Sequence, residues 1–224
     1  MKDKIQVIIM DDHQSIVDGY LYRLSKVPEI EVVTTLAYGD DLEPTLKEHP
    51  ADVLVLDVEV PASADNPNPY PILYTIPKLV KQYPNLAILV ISMHNEPGLI
   101  RAIVDAGAAG YILKSDSSKI QELGKSLLSL VNGDPCFSDK VLRVFPGRLR
   151  EPFTARQLEA LSLCAAYPNS KTAELADKMQ IANSTLRNLL STVYLKLGVQ
   201  TRAAAIAKAR QMGLITPEPT VPQM

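Results

Sequence analysis

Cysteine is nearly missing from this 224-residue chain: there are two, Cys136 and Cys164, and they form no CxxC pair. That excludes a disulfide-built scaffold, argues against a cysteine zinc site and suits a reducing compartment, so a cytoplasmic location is expected. Long apolar runs are missing too, and none approaches the roughly 18–20 residues a membrane-spanning helix needs. The early run from Val7 to Met10 closes on Asp11 and Asp12, so neither a signal peptide nor a membrane anchor is expected. With 10 glycines, 17 prolines, 46% hydrophobic and 21% charged residues, collagen-like and wholly disordered chains are excluded. The length suits one large domain or two smaller ones, each with its own core. An excess of either charge is also lacking: the net is −2, which suggests no partner.

Division of the chain changes that reading. Residues 1–135 hold 11 Lys and Arg against 19 Asp and Glu, a net of −8, whereas residues 136–224 hold 12 against 6, a net of +6. From Lys178 through Pro217 there are six basic residues and no acid. Such asymmetry points to nucleic acid or membrane, or else to two solvated surfaces that differ. The opposite charges also favour docking of one half on the other, weakened by salt. Between the halves, residues 133–152 carry three Pro and two Gly and read as a linker with a short helix near 138–144. The tail, 216–224, is rich in proline and reads as disordered. The expected organisation is 1–132, linker 133–152, 153–215 and tail 216–224.

In the first half, residues 6–10, 31–37, 53–56, 87–91 and 110–113 are short, apolar and rich in Val and Ile, as suits parallel strands covered on both faces. Apolar residues at helical spacing fall between them: Ile16, Tyr20 and Leu24; Ile72, Ile76 and Leu79; Leu99 and Ile103; Ile120, Leu123 and Leu127. This is the pattern of an α/β, doubly wound, flavodoxin-like (βα)5 domain, where ligands bind beyond the carboxyl ends of the strands. Asp11 and Asp12 follow the first strand, Asp57 closes VLVLD, Ser92 closes LAILVIS and Lys114 closes GYILK. Converging carboxylates repel unless a cation joins them, and a hard, oxygen-seeking ion such as Mg2+ fits. An aspartate beside such an ion and a lysine is equipped to attack phosphorus.

These residues, with Pro61 after Asp57 and Tyr111 before Lys114, resemble the receiver domain of bacterial two-component response regulators over residues 4–131. The resemblance implies that Asp57 accepts a phosphoryl group from a sensor histidine kinase or a small phosphodonor. It implies that Asp12, Asp11, Asp57 and the Glu59 backbone carbonyl hold Mg2+, that Ser92 and Lys114 hold the phosphoryl group, and that Ser92 and Tyr111 form a switch pair. One departure is large: after Pro61 the chain runs ASADNPNPYP, with four prolines within 61–71, no glycine and extra length. Proline fixes φ and donates no hydrogen bond, so this loop is expected to be stiff, extended and unable to pair as a strand. Restricted donor access, slowed hydrolysis and a tolerated insertion all remain open for it, and Glu59 faces the same space. His94, with no second His or Cys nearby in sequence, reads as a lone exposed loop residue.

In the second half, Thr154 and Gln157 form a T-x-x-Q capping box before a helical pattern. A short helix over 171–179 follows, then QIANSTLRNLLSTVYLKLG, with Ser184 as a candidate N-cap and Gly198 as the stop. Leu186, Leu189, Leu190, Val193 and Leu197 form the apolar stripe, opposite Ser184, Arg187, Asn188 and Ser191, with Thr185 alongside. A short helix, a tight connection and a longer helix with polar donors near its start make a helix-turn-helix. Over 153–215 the chain resembles the LuxR-type (NarL/FixJ-like) helix-turn-helix, most specifically in YLKLGV followed by Arg202 and in the closing GLI. The resemblance implies that the helix near 184–197 enters the DNA major groove. Arg187 suits a guanine edge, because its guanidinium offers two donors to O6 and N7. Asn188 is a second base reader, and Ser184, Thr185, Ser191, Lys196 and Lys178 are further DNA contacts, each of which is as well explained by backbone contact. Leu189 stands where the family often has a polar residue, and the turn at AAYPNS is about two residues longer than usual.

The expected function is therefore that of a DNA-binding transcriptional response regulator, acting as a homodimer and switched by phosphorylation of Asp57. The alternative is a constitutive DNA-binding regulator whose receiver answers to dimerisation or a ligand. An enzyme is not expected: Asp57 and Glu59 have the spacing of aspartate-nucleophile phosphatases, but there the motif follows the first strand, and here it ends the third.

Overall fold

The computed structural model describes residues 4–143 and 153–215. Five of its strands fall where the sequence places them: β1 (Ile5–Met10), β2 (Ile30–Leu36), β3 (Val53–Leu56), β6 (Ala87–Ser92) and β7 (Gly110–Leu113). All pair in parallel, in the order β2-β1-β3-β6-β7, with β8 (Cys136–Phe137) added beside β7. The inner strands β3, β6 and β7 are buried along their whole length because successive side chains enter opposite layers, whereas the edge strand β2 keeps Glu31, Thr34 and Thr35. Ile8, Met10, Leu54, Leu56, Ile88 and Val90 face one cluster, completed by α2 (Leu42–Glu48), α3 (Ile72–Gln82) and α4 (Pro97–Ala106). Val7, Ile9, Val53, Val55, Leu89 and Ile91 face the other, completed by α1 (Gln14–Leu24) and α6 (Leu123–Val131). A short α5 (Ser117–Gln121) precedes α6.

The proline-rich loop behaves differently from its sequence expectation. It folds back as an antiparallel hairpin, β4 (Pro61–Ser63) and β5 (Asn66–Pro69). Pro61 lies opposite Pro69, so two residues without an N–H face each other where no ladder bond is needed. The Tyr70 N–H, just outside this pair, donates to the Val60 carbonyl at 2.8 Å. Proline is thus excluded from the donor positions of a ribbon, not from the ribbon.

The segment after Gly133, read as a linker, contributes β8 and α7 (Asp139–Arg143) to the α/β unit. Ser138 ties it down: its Oγ accepts from Leu113 N at 3.0 Å, and its N–H donates to the Tyr111 carbonyl at 3.1 Å. Residues 144–152 and the tail expected to be disordered, 216–224, lie outside the described residues.

The C-terminal unit is all helical: α8 (Ala155–Ala166), α9 (Thr172–Lys178), α10 (Asn183–Leu197) and α11 (Arg202–Gln211). Its core joins Leu161, Cys164, Leu175, Leu186, Leu190, Val193 and Tyr194. Thr154 and Gln157 make the reciprocal cap at the start of α8. The α9–α10 turn passes through Gln180, at φ 54°. Helix α10 starts two residues earlier than expected, with Ala182, not Ser184, as N-cap, and ends at Gly198 in the left-handed conformation. No described helix is long and apolar enough to cross a membrane.

Candidate functional site

The hydrogen-bond ladder of the sheet runs on past the strand ends and aligns the polar residues there. Asp57 N donates to the Met10 carbonyl at 2.9 Å, Asp11 N to Leu36 at 3.0 Å and Lys114 N to Ser92 at 2.8 Å. β1, β3 and β7 thus deliver the residues that follow them, and β6 its last residue, to one rim. Lys114 Nζ lies 2.8 Å from Asp11 Oδ2 and 2.7 Å from Asp57 Oδ2, with all three side chains buried. Asp57 Oδ1 accepts from Val58 N at 2.7 Å. Burial, only partly opposed by the Lys114 hydrogen bond and charge, holds the Asp57 carboxyl above its usual pKa. Burial works against the Lys114 ammonium as well, but its bonds to Asp11 and Asp57 outweigh that and keep it above the ordinary lysine value.

Asp12 and His13 complete the cluster. Ligand atoms of Asp11, Asp12, His13 and Asp57 all lie within 4.8 Å of one another. His13 Nδ1 sits 2.9 Å from Asp12 Oδ1, and the His13 backbone N–H donates to Asp11 Oδ1 at 3.0 Å. Three carboxylates gathered around one ammonium retain excess negative charge, so the donor set fits a hard divalent cation with waters in its remaining positions. The sequence did not single out His13.

On the other side of Asp57, Ser92 is 1% exposed and its Oγ accepts from His94 N at 3.1 Å. Tyr111 is turned fully inward, and its hydroxyl donates to the His94 carbonyl at 2.8 Å. Burial pushes its pKa up to about 12. His94 is not the isolated residue the sequence suggests: Nε2 lies 3.0 Å from Glu59 Oε1 and Nδ1 lies 3.2 Å from Glu96 Oε2. A pair formed between loops of two strands leaves no local sequence signal.

The expected DNA-contacting residues of α10 lie elsewhere, and most are covered. Ser184, Arg187, Ser191 and Lys196 are each 4–6% exposed. Arg187 Nη1 donates to the Asn85 carbonyl at 2.9 Å, and Nη2 to the Val131 carbonyl at the end of α6 at 3.4 Å. Asn183 Nδ2 reaches Asn85 Oδ1 at 3.2 Å, and Leu195 enters the cluster around Phe137 and Val141. The polar face of α10 thus rests on the α/β unit, at the end of the sheet opposite the acidic rim. Lys196, read as a phosphate contact, points inward: its Nζ donates to Gln157 Oε1 at 3.0 Å, over the Phe153 ring. Its neighbours Leu195 and Leu197 are both buried, and at that point of the helix the lysine has no outward face. Thr185 and Lys178 remain exposed, and Lys178 lies over the Tyr167 ring.

A second set of residues at the seam centres on Arg202, which the sequence marked only as part of the family pattern. Asp134 Oδ1 accepts from Arg202 N, the first amide of α11, at 3.1 Å. The Arg202 guanidinium donates to the Ser170 and Asn132 carbonyls at 2.6 and 3.4 Å, and Thr172 Oγ1 donates to Asn132 O at 2.8 Å. The opposite net charges of the halves suggest docking by ion pairs. Instead, both guanidinium groups end on neutral carbonyl and hydroxyl oxygens.

An open parallel sheet with buried acids and a lysine at its carboxyl rim, followed by a helix-turn-helix unit, defines the class: a receiver joined to a DNA-reading module. Residues 7–125 match the response regulator receiver domain, and the chain belongs to that family. It is similar to the transcriptional regulatory protein DesR of Bacillus subtilis, at 27% identity over 93% of this chain and 98% of DesR. The probable transcriptional regulatory protein NarL of Mycobacterium tuberculosis is 28% identical over 95% of this chain and 97% of its own. Among solved structures, RcsB from Salmonella enterica serovar Typhimurium, bound to promoter rprA in the presence of the phosphomimetic BeF3−, superposes with a TM-score of 0.56. It is 25% identical and is matched over 92% of this chain and 98% of that one. The chain is a transcriptional response regulator of the NarL/LuxR type, and its relatives are regulators, not enzymes.

Proposed function

We propose that this protein is switched by Mg2+-dependent phosphorylation of Asp57, and that the switch governs access of α10 to DNA. An Asp57 oxygen attacks the phosphorus of a kinase phosphohistidine, the P–N bond breaks, and the imidazole nitrogen leaves with the electron pair. Asp11, Asp12, Asp57 and the Glu59 carbonyl would hold Mg2+, which supplies charge neutralisation on the transferring oxygens. Lys114, already against Asp57, shares that charge, and Ser92 offers its hydroxyl to the phosphoryl group. On release, α10 enters a major groove with Arg187 toward a guanine edge, Asn188 beside it, and Thr185 and Lys178 toward phosphates. A two-fold dimer then engages half-sites one helical turn apart.

The observation that supports this reading best is that the polar face of α10 is buried on the same domain that bears the acidic rim. A regulator built this way has two states, and a phosphoryl group biases them only by its differential affinity for one. The test is operator affinity of the full chain, with the duplex selected from a random pool, with and without beryllofluoride and Mg2+. Tighter binding with the mimic, absent in Asp57→Ala, is the expected result. Equal affinity in all three samples would leave a constitutive DNA-binding protein.

A further inference from the structure

His13 follows the two aspartates at the end of β1, and its backbone fixes its place. Its backbone N–H donates to Asp11 Oδ1 at 3.0 Å, and its carbonyl accepts from Ile16 N at 2.9 Å and Val17 N at 3.1 Å, which makes it the N-cap of α1. An N-cap side chain ordinarily accepts a hydrogen bond from the first turn, but this imidazole makes no such bond. It turns toward the acidic rim instead, with Nδ1 2.9 Å from Asp12 Oδ1 and 3.5 Å from Asp11 Oδ1. Adjacent ligands of an octahedral ion with bonds of about 2.1 Å lie about 3 Å apart. Both contacts therefore have roughly the spacing of neighbours in one coordination shell. Lys114 holds one oxygen each of Asp11 and Asp57 and leaves the second oxygen of each to other partners. Three carboxylates against one ammonium leave two negative charges, which one divalent ion cancels.

We propose that His13 is a further ligand of the cation at this rim, through Nδ1, and that it turns the preference of the site from Mg2+ toward a divalent transition ion such as Mn2+. This rests on the reading of Asp11, Asp12 and Asp57 as the cation site. Mg2+ is held by oxygen and keeps several waters, so a neutral nitrogen gains little from it. First-row transition ions take imidazole readily, and the nitrogen then replaces a water without adding charge. Asp11, Asp12, His13 and Asp57 each have a ligand atom within 4.8 Å of the others. Opposite ligands of one ion lie about 4.2 Å apart, so the set has only a little to close. The side chains able to close it are the partly exposed ones, Asp12 at 30% and His13 at 59%, while Asp11 and Asp57 are buried. A scarce transition ion thus competes at this rim with Mg2+ in excess, and one residue of the loop after β1 selects between them.

The experiment titrates the full chain with Mn2+, follows the free ion by its electron paramagnetic resonance signal, and repeats the titration in competition with Mg2+. The affinity for Mn2+ relative to Mg2+ is expected to be about tenfold higher in wild type than in His13→Ala. Bound Mn2+ in wild type is expected to show, in its electron spin echo, the nitrogen modulation of a coordinated imidazole, which His13→Ala loses. His13→Asn, which offers an oxygen in place of the imidazole nitrogen, is expected to bind both ions without that modulation and without the added preference. The residue is exposed, so neither substitution opens a cavity. Mn2+ bound to wild type without nitrogen modulation, or a His13→Ala protein that keeps the wild-type preference, overturns the role of His13. Wild type that binds neither ion, or Asp12→Asn that binds both as tightly as wild type, instead overturns the cation site beneath it.

Discussion

Lys114 shows how much one residue determines at this rim. Its ammonium lies between two buried carboxylates, and their repulsion would otherwise meet in a region of low dielectric. Removal of one partner from a buried pair is costly because the charges left behind are uncompensated. Lys114→Met is therefore expected to lower stability by about 3 kcal/mol in urea unfolding with chelator present, with part of that recovered when Mg2+ is added. Unchanged stability would mean that the cluster already tolerates its own charge. The positions of Asp11, Asp57, Ser92 and Lys114 were legible in the sequence, because each directly follows or closes an apolar run and parallel strands deliver their ends to one rim. His13 and the pairing of His94 with Glu59 were not, since they depend on how loops close. Lys196 was misread for a related reason: a lysine among leucines looks like a surface residue until Gln157, 39 positions away, turns it inward.

The strands and the long helices follow from apolar runs and periodicity, whereas the hairpin after Asp57 does not. Four prolines suggested a loop without pairing, but a two-stranded ribbon needs few donors, and Pro61 and Pro69 face each other across it. Its base is fixed by Tyr70, whose ring lies directly on Gly39, in the 3-10 turn Gly39–Asp41 that follows β2. A Cβ at Gly39 would fall inside that ring. Gly39→Ala is thus expected to displace the hairpin and cost about 1–3 kcal/mol, as overpacking of a filled site does. In combination with Tyr70→Ala most of that penalty should disappear in thermal unfolding, which isolates the contact. A Gly39→Ala protein as stable as wild type would show that the hairpin is not held there. Helix α2 was also unplaced by the sequence, because seven residues containing Pro44 give too little pattern to read.

At the scale of the molecule, the two halves are joined by contacts that neither half advertises. The net charges of −8 over residues 1–135 and +6 over residues 136–224 distinguish an acidic first part from a basic second one, although β8 and α7 of the α/β unit fall past that division. The seam itself uses guanidinium groups on carbonyl oxygens: Arg187 on Asn85 and Val131, and Arg202 on Asn132. In the function proposed, DNA would offer Arg187 similar acceptors, so the closed seam and a major groove would compete for the same donors. Burial alone lowers the Arg187 pKa from its ordinary value, which reflects the desolvation that this competition must overcome.

The most direct test of that competition is the distance between the two units in solution. Spin labels at Tyr74→Cys and Met212→Cys sit on exposed positions, while native Cys136 and Cys164 are buried and poorly reachable. Double electron–electron resonance of the labelled chain with Mg2+ should give one narrow distribution, which beryllofluoride shifts and broadens as α10 leaves the receiver, and Asp57→Ala should abolish that change. A distribution unaltered by beryllofluoride, with binding of the mimic verified by fluorine NMR, would contradict the coupling of Asp57 to the DNA-reading helix.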